Sequence, residues 1–189
     1  MSLSNLTYVN ACLSQADAAR QIGTRALEKA RGHGFGLLEA AVLENLAMTE
    51  AAAGDLKRAI ALAQESFELR SRSHSETWSA KTLADVAIWQ ARSGDMLAAG
   101  AAVKQLLADE EAIKDGSDWP SYCFWAAAQV IRLLGEDGEA ARLLTRAHGA
   151  MQNEAMDLED EDRASFLALP FNRDIASATA GGSWPDPPR

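Results

Sequence analysis

Three stretches of this chain can be laid over one another without a gap, each built around a glycine: LENLAMTEAAAGDLKRA, LADVAIWQARSGDMLAA and FWAAAQVIRLLGEDGEA. The glycines are Gly54, Gly94 and Gly135, so the pattern returns at intervals of 40 and 41 residues. A period of this length limits the fold severely, because every copy is one supersecondary unit that buries its flank against the next. Other markers share the period. Leu43, Leu83 and Phe124 form one column, Leu46, Val86 and Ala127 a second, Ala47, Ala87 and Ala128 a third, and Ala59, Ala99 and Ala140 a fourth. A degenerate copy precedes them, with Leu3, Leu6, Ser14, Ala19 and Leu27 in register.

Apolar residues recur at three- and four-residue intervals on both sides of each glycine, which is the period of a helix that buries one face. The spacing predicts first helices at about 3–12, 36–53, 76–93 and 119–134, and second helices at about 15–31, 56–71, 96–113 and 137–153. The glycine supplies a left-handed residue that ends one helix, and Asp55 and Asp95 can accept from the free amides that open the next. Alanine makes up about a fifth of the chain, and all five prolines lie at or after Pro120, so the first part carries no proline to break a helix. The chain is expected to be all-α. Small residues in columns suit helices that cross closely.

The pattern resembles the tetratricopeptide repeat in its longer variety of about 40 residues. The family's small residue in the first helix matches Ala47, Ala87 and Ala128, its turn glycine matches Gly54, Gly94 and Gly135, and its small residue in the second helix matches Ala59, Ala99 and Ala140. Leu56 and Met96 stand where the family has tyrosine, and the proline that closes each unit is missing. The resemblance implies a right-handed α-solenoid of four hairpins, at about 1–33, 34–73, 74–115 and 116–155. A capping segment at 156–178 would complete a single domain over 1–178. Phe166, Leu167, Leu169, Phe171 and Ile175 are the apolar face expected of that cap. Residues 179–189, rich in glycine and proline, are expected to be a disordered tail. RASFLALPFNRDI also looks like the closing segment of helical-repeat arms on bacterial regulatory ATPases, nucleotide cyclases and transcriptional activators, which implies a role in signalling or transcription control.

A formal charge of −9 and a pI near 4.8 oppose nucleic acid and anionic membrane surfaces as partners. MSLSNLTYVN has neither a basic start nor an apolar run, so a cytoplasmic location is expected. Cys12 and Cys123 lack metal-ligand spacing and read as reduced packing residues. His33 and His74 fall in equivalent connectors and His148 on a second helix, without a shared metal. RGHGFG, with Gly32, Gly34 and Gly36, follows no strand and precedes no Gly-Lys-Ser or Gly-Lys-Thr, so it reads as a flexible connector rather than a phosphate loop. The acidic run from Asp157 to Asp162 lacks the glycine of a calcium loop and reads as a solvated face or helix start. No nucleophile, acid–base pair or metal set converges, so the expectation is a protein without catalytic activity or cofactor.

By the resemblance, the first helix of each pair lines a concave groove, and its residues outside the packing columns are the candidate partner-binding positions. These are Glu44, Asn45 and Met48 in the second unit, Lys81, Asp85 and Ile88 in the third, and Tyr122, Trp125, Ala126, Gln129 and Arg132 in the fourth. Asn45 resembles the groove asparagine that meets an extended peptide backbone, and Asp85 and Ala126 replace it in the following units. Trp125 and Tyr122 are either partner anchors or packing residues against Trp119 or the next helix. Trp78 and Trp89 read as structural. The expected partner is a protein or peptide segment; homodimerisation through Leu3, Leu6, Val9 and Leu13, and small-molecule sensing within the superhelix, are the alternatives.

Overall fold

The computed structural model describes residues 7, 15–72, 76–117 and 119–188. The expected helix at 3–12, Cys12, His74, and the side chain of Trp78 lie outside that description, as do Leu3, Leu6, Val9 and Leu13. Among the described residues the chain is helical and contains no strand. The helices are α1 (Ala16–Gly32), α2 (Gly36–Ala52), α3 (Leu56–Arg72), α4 (Glu76–Arg92), α5 (Met96–Leu106), α6 (Glu110–Gly116), α7 (Pro120–Leu133), α8 (Asp137–Met156), α9 (Asp160–Leu167) and α10 (Pro170–Thr179). Within this set none is long and apolar enough to cross a membrane.

The three turns at the glycines are the same object. Gly54, Gly94 and Gly135 have φ of 88°, 86° and 83°. In each, the glycine amide bonds a carbonyl three residues back, and the following amide reaches a carbonyl five back: Gly54 to Ala51 and Asp55 to Glu50, Gly94 to Ala91 and Asp95 to Gln90, Gly135 to Arg132 and Glu136 to Ile131. These paired bonds satisfy carbonyls that the end of a helix leaves open. Asp55 and Asp95 then accept from the amides of Arg58 and Ala98, both at 3.0 Å, so only three residues separate the end of one helix from the start of the next. RGHGFG, expected to be a flexible connector, is closed by the same pair of bonds, Gly34 to Arg31 and Phe35 to Ala30.

By its contacts the chain divides into two compact units, residues 1–82 and 83–189, where the period alone suggests one uninterrupted array. In the first unit α2 packs against both α1 and α3. Ala26, Val42 and Leu46 form its core with Leu27 and Leu62 against them. α1 and α2 approach so closely at Gly23 that a Cβ there would lie 2.5 Å from Leu46 Cδ2. Glu50, 3% exposed, accepts from Arg20 at 2.7 Å and meets Arg58 at 3.2 Å, which ties α1, α2 and α3 together.

In the second unit α7 packs against α5 and α8, and α10 lies on both α7 and α8. Phe124, Val130, Leu143 and Ile175 are fully or almost fully buried there. The Glu154 carboxylate accepts from the Ser121 amide at 2.9 Å and its hydroxyl at 3.0 Å, capping the start of α7 just after Pro120. Burial pushes the Glu154 carboxyl above its usual value, against the pull of these two bonds. The helix expected over 96–113 is broken by a 3₁₀ turn at Leu107–Asp109. Asp109 accepts from the Ala112 amide at 3.0 Å, so a side chain that competes with backbone bonding starts a new helix instead of continuing the old one.

The alanine columns are buried as their spacing predicts: Ala47, Ala87, Ala128, Ala59 and Ala99 are fully inaccessible and Ala140 is 1% exposed. In the cap, Ile175 is buried and Phe166, Leu169 and Phe171 are half-buried, while Leu167 is exposed. Nothing lies within 4 Å of a Cβ built on Gly94, so Gly94→Ala should cost only the left-handed backbone penalty of about 1–2 kcal/mol. Gly149→Ala, equally unobstructed but inside α8, should gain roughly 0.5–1 kcal/mol. Urea unfolding of the two variants checks the opposite signs. Arg20→Met should also destabilise more than Glu50→Gln, because the first leaves a buried carboxylate short of a partner and the second leaves only solvated cations.

Candidate functional site

The sequence-predicted positions fall into two sets, one in each unit. In the first, Glu44, Asn45 and Met48 on α2 and Lys81 on α4 are half-buried. Glu44 accepts from the buried Arg70 of α3 at 2.8 Å and meets Lys81 at 3.7 Å. Two of the predicted positions therefore meet, and Glu44 also holds a cation, Arg70, that the sequence pattern does not single out. Arg70 lies 26 residues from Glu44, and no local pattern announces such a pair. The backbone carbonyl of Asn45 accepts from the Thr49 hydroxyl at 2.8 Å. Asn45 and Met48, one helical turn apart, complete this face.

In the second unit the predicted positions are mostly covered. Asp85, Ile88, Ala126 and Gln129 are buried, and Trp125 is wholly inaccessible. Tyr122 is half-buried and Arg132 exposed. Tyr122, Trp125, Gln129 and Arg132 follow one another at three- and four-residue steps and so share one side of α7. What covers that side is the chain's own carboxy-terminal part. The ring of Phe171 on α10 meets Tyr122 edge-on at 5.5 Å and Trp119 at 6.1 Å. Trp184, in the segment expected to be disordered, lies 4.8 Å from Trp125 with 31° between the rings, and the Arg132 guanidinium sits 4.9 Å from the Trp184 ring. Pro188 is buried as well. The count of glycine and proline in the tail does not register that one large aromatic among them has a flat surface to rest on.

The Tyr122 hydroxyl donates to Asp85 Oδ1 at 2.6 Å. Burial pushes the phenol well above its ordinary value, and the Asp85 carboxylate adds to the shift by repelling a phenolate and holding the proton. The indole nitrogen of Trp125 is buried without a hydrogen-bond partner. Trp89 is buried, as a structural residue should be, and Cys123 is a buried thiol 3.7 Å from the Ser117 hydroxyl. His33 stacks on Phe35 at 5.6 Å, and the acidic run opens α9.

Among the described residues no group of three or more His, Cys, Asp and Glu is placed to hold a metal ion. A cleft of about 810 Å³ lies among α8, α9 and α10, with Met151, Met156, Leu167, Asn172 and Arg173 in its walls. Asn172 Oδ1 is buried there without a partner, while its amide donates to the Phe166 carbonyl at 2.8 Å. The chain matches no protein-family model and no curated protein.

Tyr8 and Tyr122 are the two tyrosines, so the buried phenol can be followed by ultraviolet titration. Asp85→Asn should lower the Tyr122 pKa by removing the negative charge, yet leave it above the ordinary value because burial persists. The folded chain holds this proton more tightly than the unfolded one. Stability should therefore fall as pH rises past 10.0, and by less in total in Asp85→Asn, as thermal melts at stepped alkaline pH would record.

Proposed function

We propose that this protein is a non-catalytic protein-interaction module of the tetratricopeptide-repeat type, a right-handed α-solenoid that holds a peptide or protein segment along its first helices. The observation that carries the reading is the threefold return of one turn. The same two backbone bonds and the same positive-φ glycine recur at Gly54, Gly94 and Gly135, each between two buried alanines at fixed offsets. Helical hairpins repeated in this way hold a continuous surface in a defined curve, and such surfaces act by binding. The function rests on the site rather than the fold. In the first unit that site is the half-buried α2 face with Asn45 and Met48, bordered by the Arg70–Glu44–Lys81 charge group. An amide beside an apolar side chain suits an extended segment that offers a backbone and one apolar anchor.

The likeness of residues 163–175 to the closing segments of bacterial regulatory arms extends the proposal to a role in signalling or transcription control. A second reading has one observation in its favour: the cleft among α8, α9 and α10 is large enough for a small apolar effector, consistent with a sensing role. A metabolite that raises the melting temperature of the wild type, but not of Met151→Glu, would favour it.

The interaction reading is tested by panning a displayed library of random peptides against the full chain and measuring the enriched peptides by calorimetry. Enriched peptides should lose about tenfold or more in affinity on Met48→Glu, with the circular dichroism of the chain unchanged. Failure to enrich any peptide, or indifference to Met48→Glu across all that enrich, overturns it.

A further inference from the structure

The carboxy-terminal segment 181–188 follows the last helix through a turn of the same kind as the hairpin turns, with Gly181 at φ 82° and amide bonds from Gly181 to Ala178 and from Gly182 to Ser177. From there it runs without helix or strand, and its Trp184 ring rests against α7. Trp125 and Arg132 stand seven residues apart, two turns along one side of α7 and separated by roughly 10 Å of helix axis. The Trp184 indole reaches both, meeting a π-face at 4.8 Å and a guanidinium at 4.9 Å. Those two contacts select an aromatic side chain and ask nothing else of the segment that carries it.

A permanent brace would be expected to satisfy the groups it buries. The tail brings no acceptor to the Trp125 indole N–H, which is buried without one. A donor left in this way favours any replacement that brings a carbonyl or carboxylate oxygen with its aromatic ring. The short tether explains why the contact persists nevertheless. Trp184 lies five residues past Thr179, the last residue of α10, and a link of that length holds the ring at an effective concentration on the order of millimolar. A contact of only modest affinity between separate molecules is then well occupied within one. Its release breaks no helix or strand.

We propose that residues 181–188 are an internal pseudo-ligand: Trp184 fills an aromatic-recognition clamp made by Trp125 and Arg132. A partner protein segment with an exposed aromatic residue beside a backbone or carboxylate acceptor binds by taking its place. The proposal rests on the interaction-module reading and names the chemistry of the segment bound in the second unit.

The test uses the full chain carrying Trp184→Ala and a fluorescein-labelled peptide of the native tail sequence, Gly-Gly-Ser-Trp-Pro-Asp-Pro-Pro-Arg. Fluorescence anisotropy should show saturable binding to Trp184→Ala and binding weaker by about tenfold or more to the wild type, whose clamp is filled. Replacing the peptide's tryptophan by alanine, or adding Arg132→Ala to the chain, should abolish or sharply weaken the signal. No binding by a folded Trp184→Ala chain, or equal binding by wild type and variant, overturns the proposal. Should Trp184→Ala fail to fold, the wild type decides. In its ¹⁵N-tryptophan NMR spectrum, excess tail peptide should move the Trp184 indole signal to the position of a free tryptophan, and a signal that stays put overturns the proposal. Library peptides that bind the wild type while the Trp184 signal is unmoved leave the interaction module standing and remove the pseudo-ligand. Capture of the tail peptide with no library peptide enriched does the reverse.

Discussion

Close approach between neighbouring helices is the constraint on which the rest of this structure depends. Two helices can come within the 8–10 Å of ordinary packing only if the side chains at the crossing are small enough to let them. Here alanine supplies that at Ala47, Ala87 and Ala128 in one helix of each repeat and at Ala59, Ala99 and Ala140 in the other, and all six are buried. The turn glycine makes the second half of the same condition. A left-handed residue reverses the chain within three positions, so the helices that carry the two alanine columns follow each other without a longer loop that could let them drift. At Gly23 an added methyl group would lie 2.5 Å from Leu46 Cδ2, so the leucine would have to move to admit it.

The elements written in the sequence are those whose signals are local. The boundaries of α2, α3, α7 and α8 fall within a few residues of the expected ones, because the period, the glycine and the aspartate caps all act within one or two turns of the helix they end. Asp109 acts locally too, but a strong helical period over 96–113 concealed it. Contacts across long separations were not legible. Glu44 finds Arg70 and Asp85 finds Tyr122 across 26 and 37 residues, and Trp184 finds Trp125 from a segment whose composition suggests no order at all. The candidate positions were legible as faces. The sequence placed Tyr122, Trp125, Gln129 and Arg132 on one side of α7, but nothing in their spacing reveals that Phe171 and Trp184 lie over them.

Charge adds a second layer to the helix pairing. Glu50 joins Arg20 and Arg58 from the helices on either side of it, Glu44 joins Arg70 and Lys81, and Glu110 on α6 joins Arg142 and Arg146 on α8. The exposed members of these groups contribute little to stability in water. The buried ones act differently, since a carboxylate such as Glu50 tolerates burial only while its cations are in place, so a slipped helix would strand a charge. The two hydrogen bonds with Arg142 hold the Glu110 carboxyl below its usual value, the direction expected of an acid the fold keeps ionised.

A repeat fixes only the residues that pack. The alanine and glycine columns recur because each copy closes with the same turn and buries the same small residues, whereas positions between the columns are released from the period. That freedom is visible at the place the asparagine occupies in one repeat: Asn45 is followed by Asp85 and then Ala126, while the alanine two residues further on is unchanged at Ala47, Ala87 and Ala128. One backbone plan can therefore carry a charged and amide-bearing face on α2 and an aromatic one on α7. The aromatic face is the one that the chain itself covers. Large apolar rings left open to water favour association with any comparable surface, and a tail held at high local concentration occupies them first. An occupant that leaves the Trp125 N–H without an acceptor protects that surface without closing it to a segment that fits better.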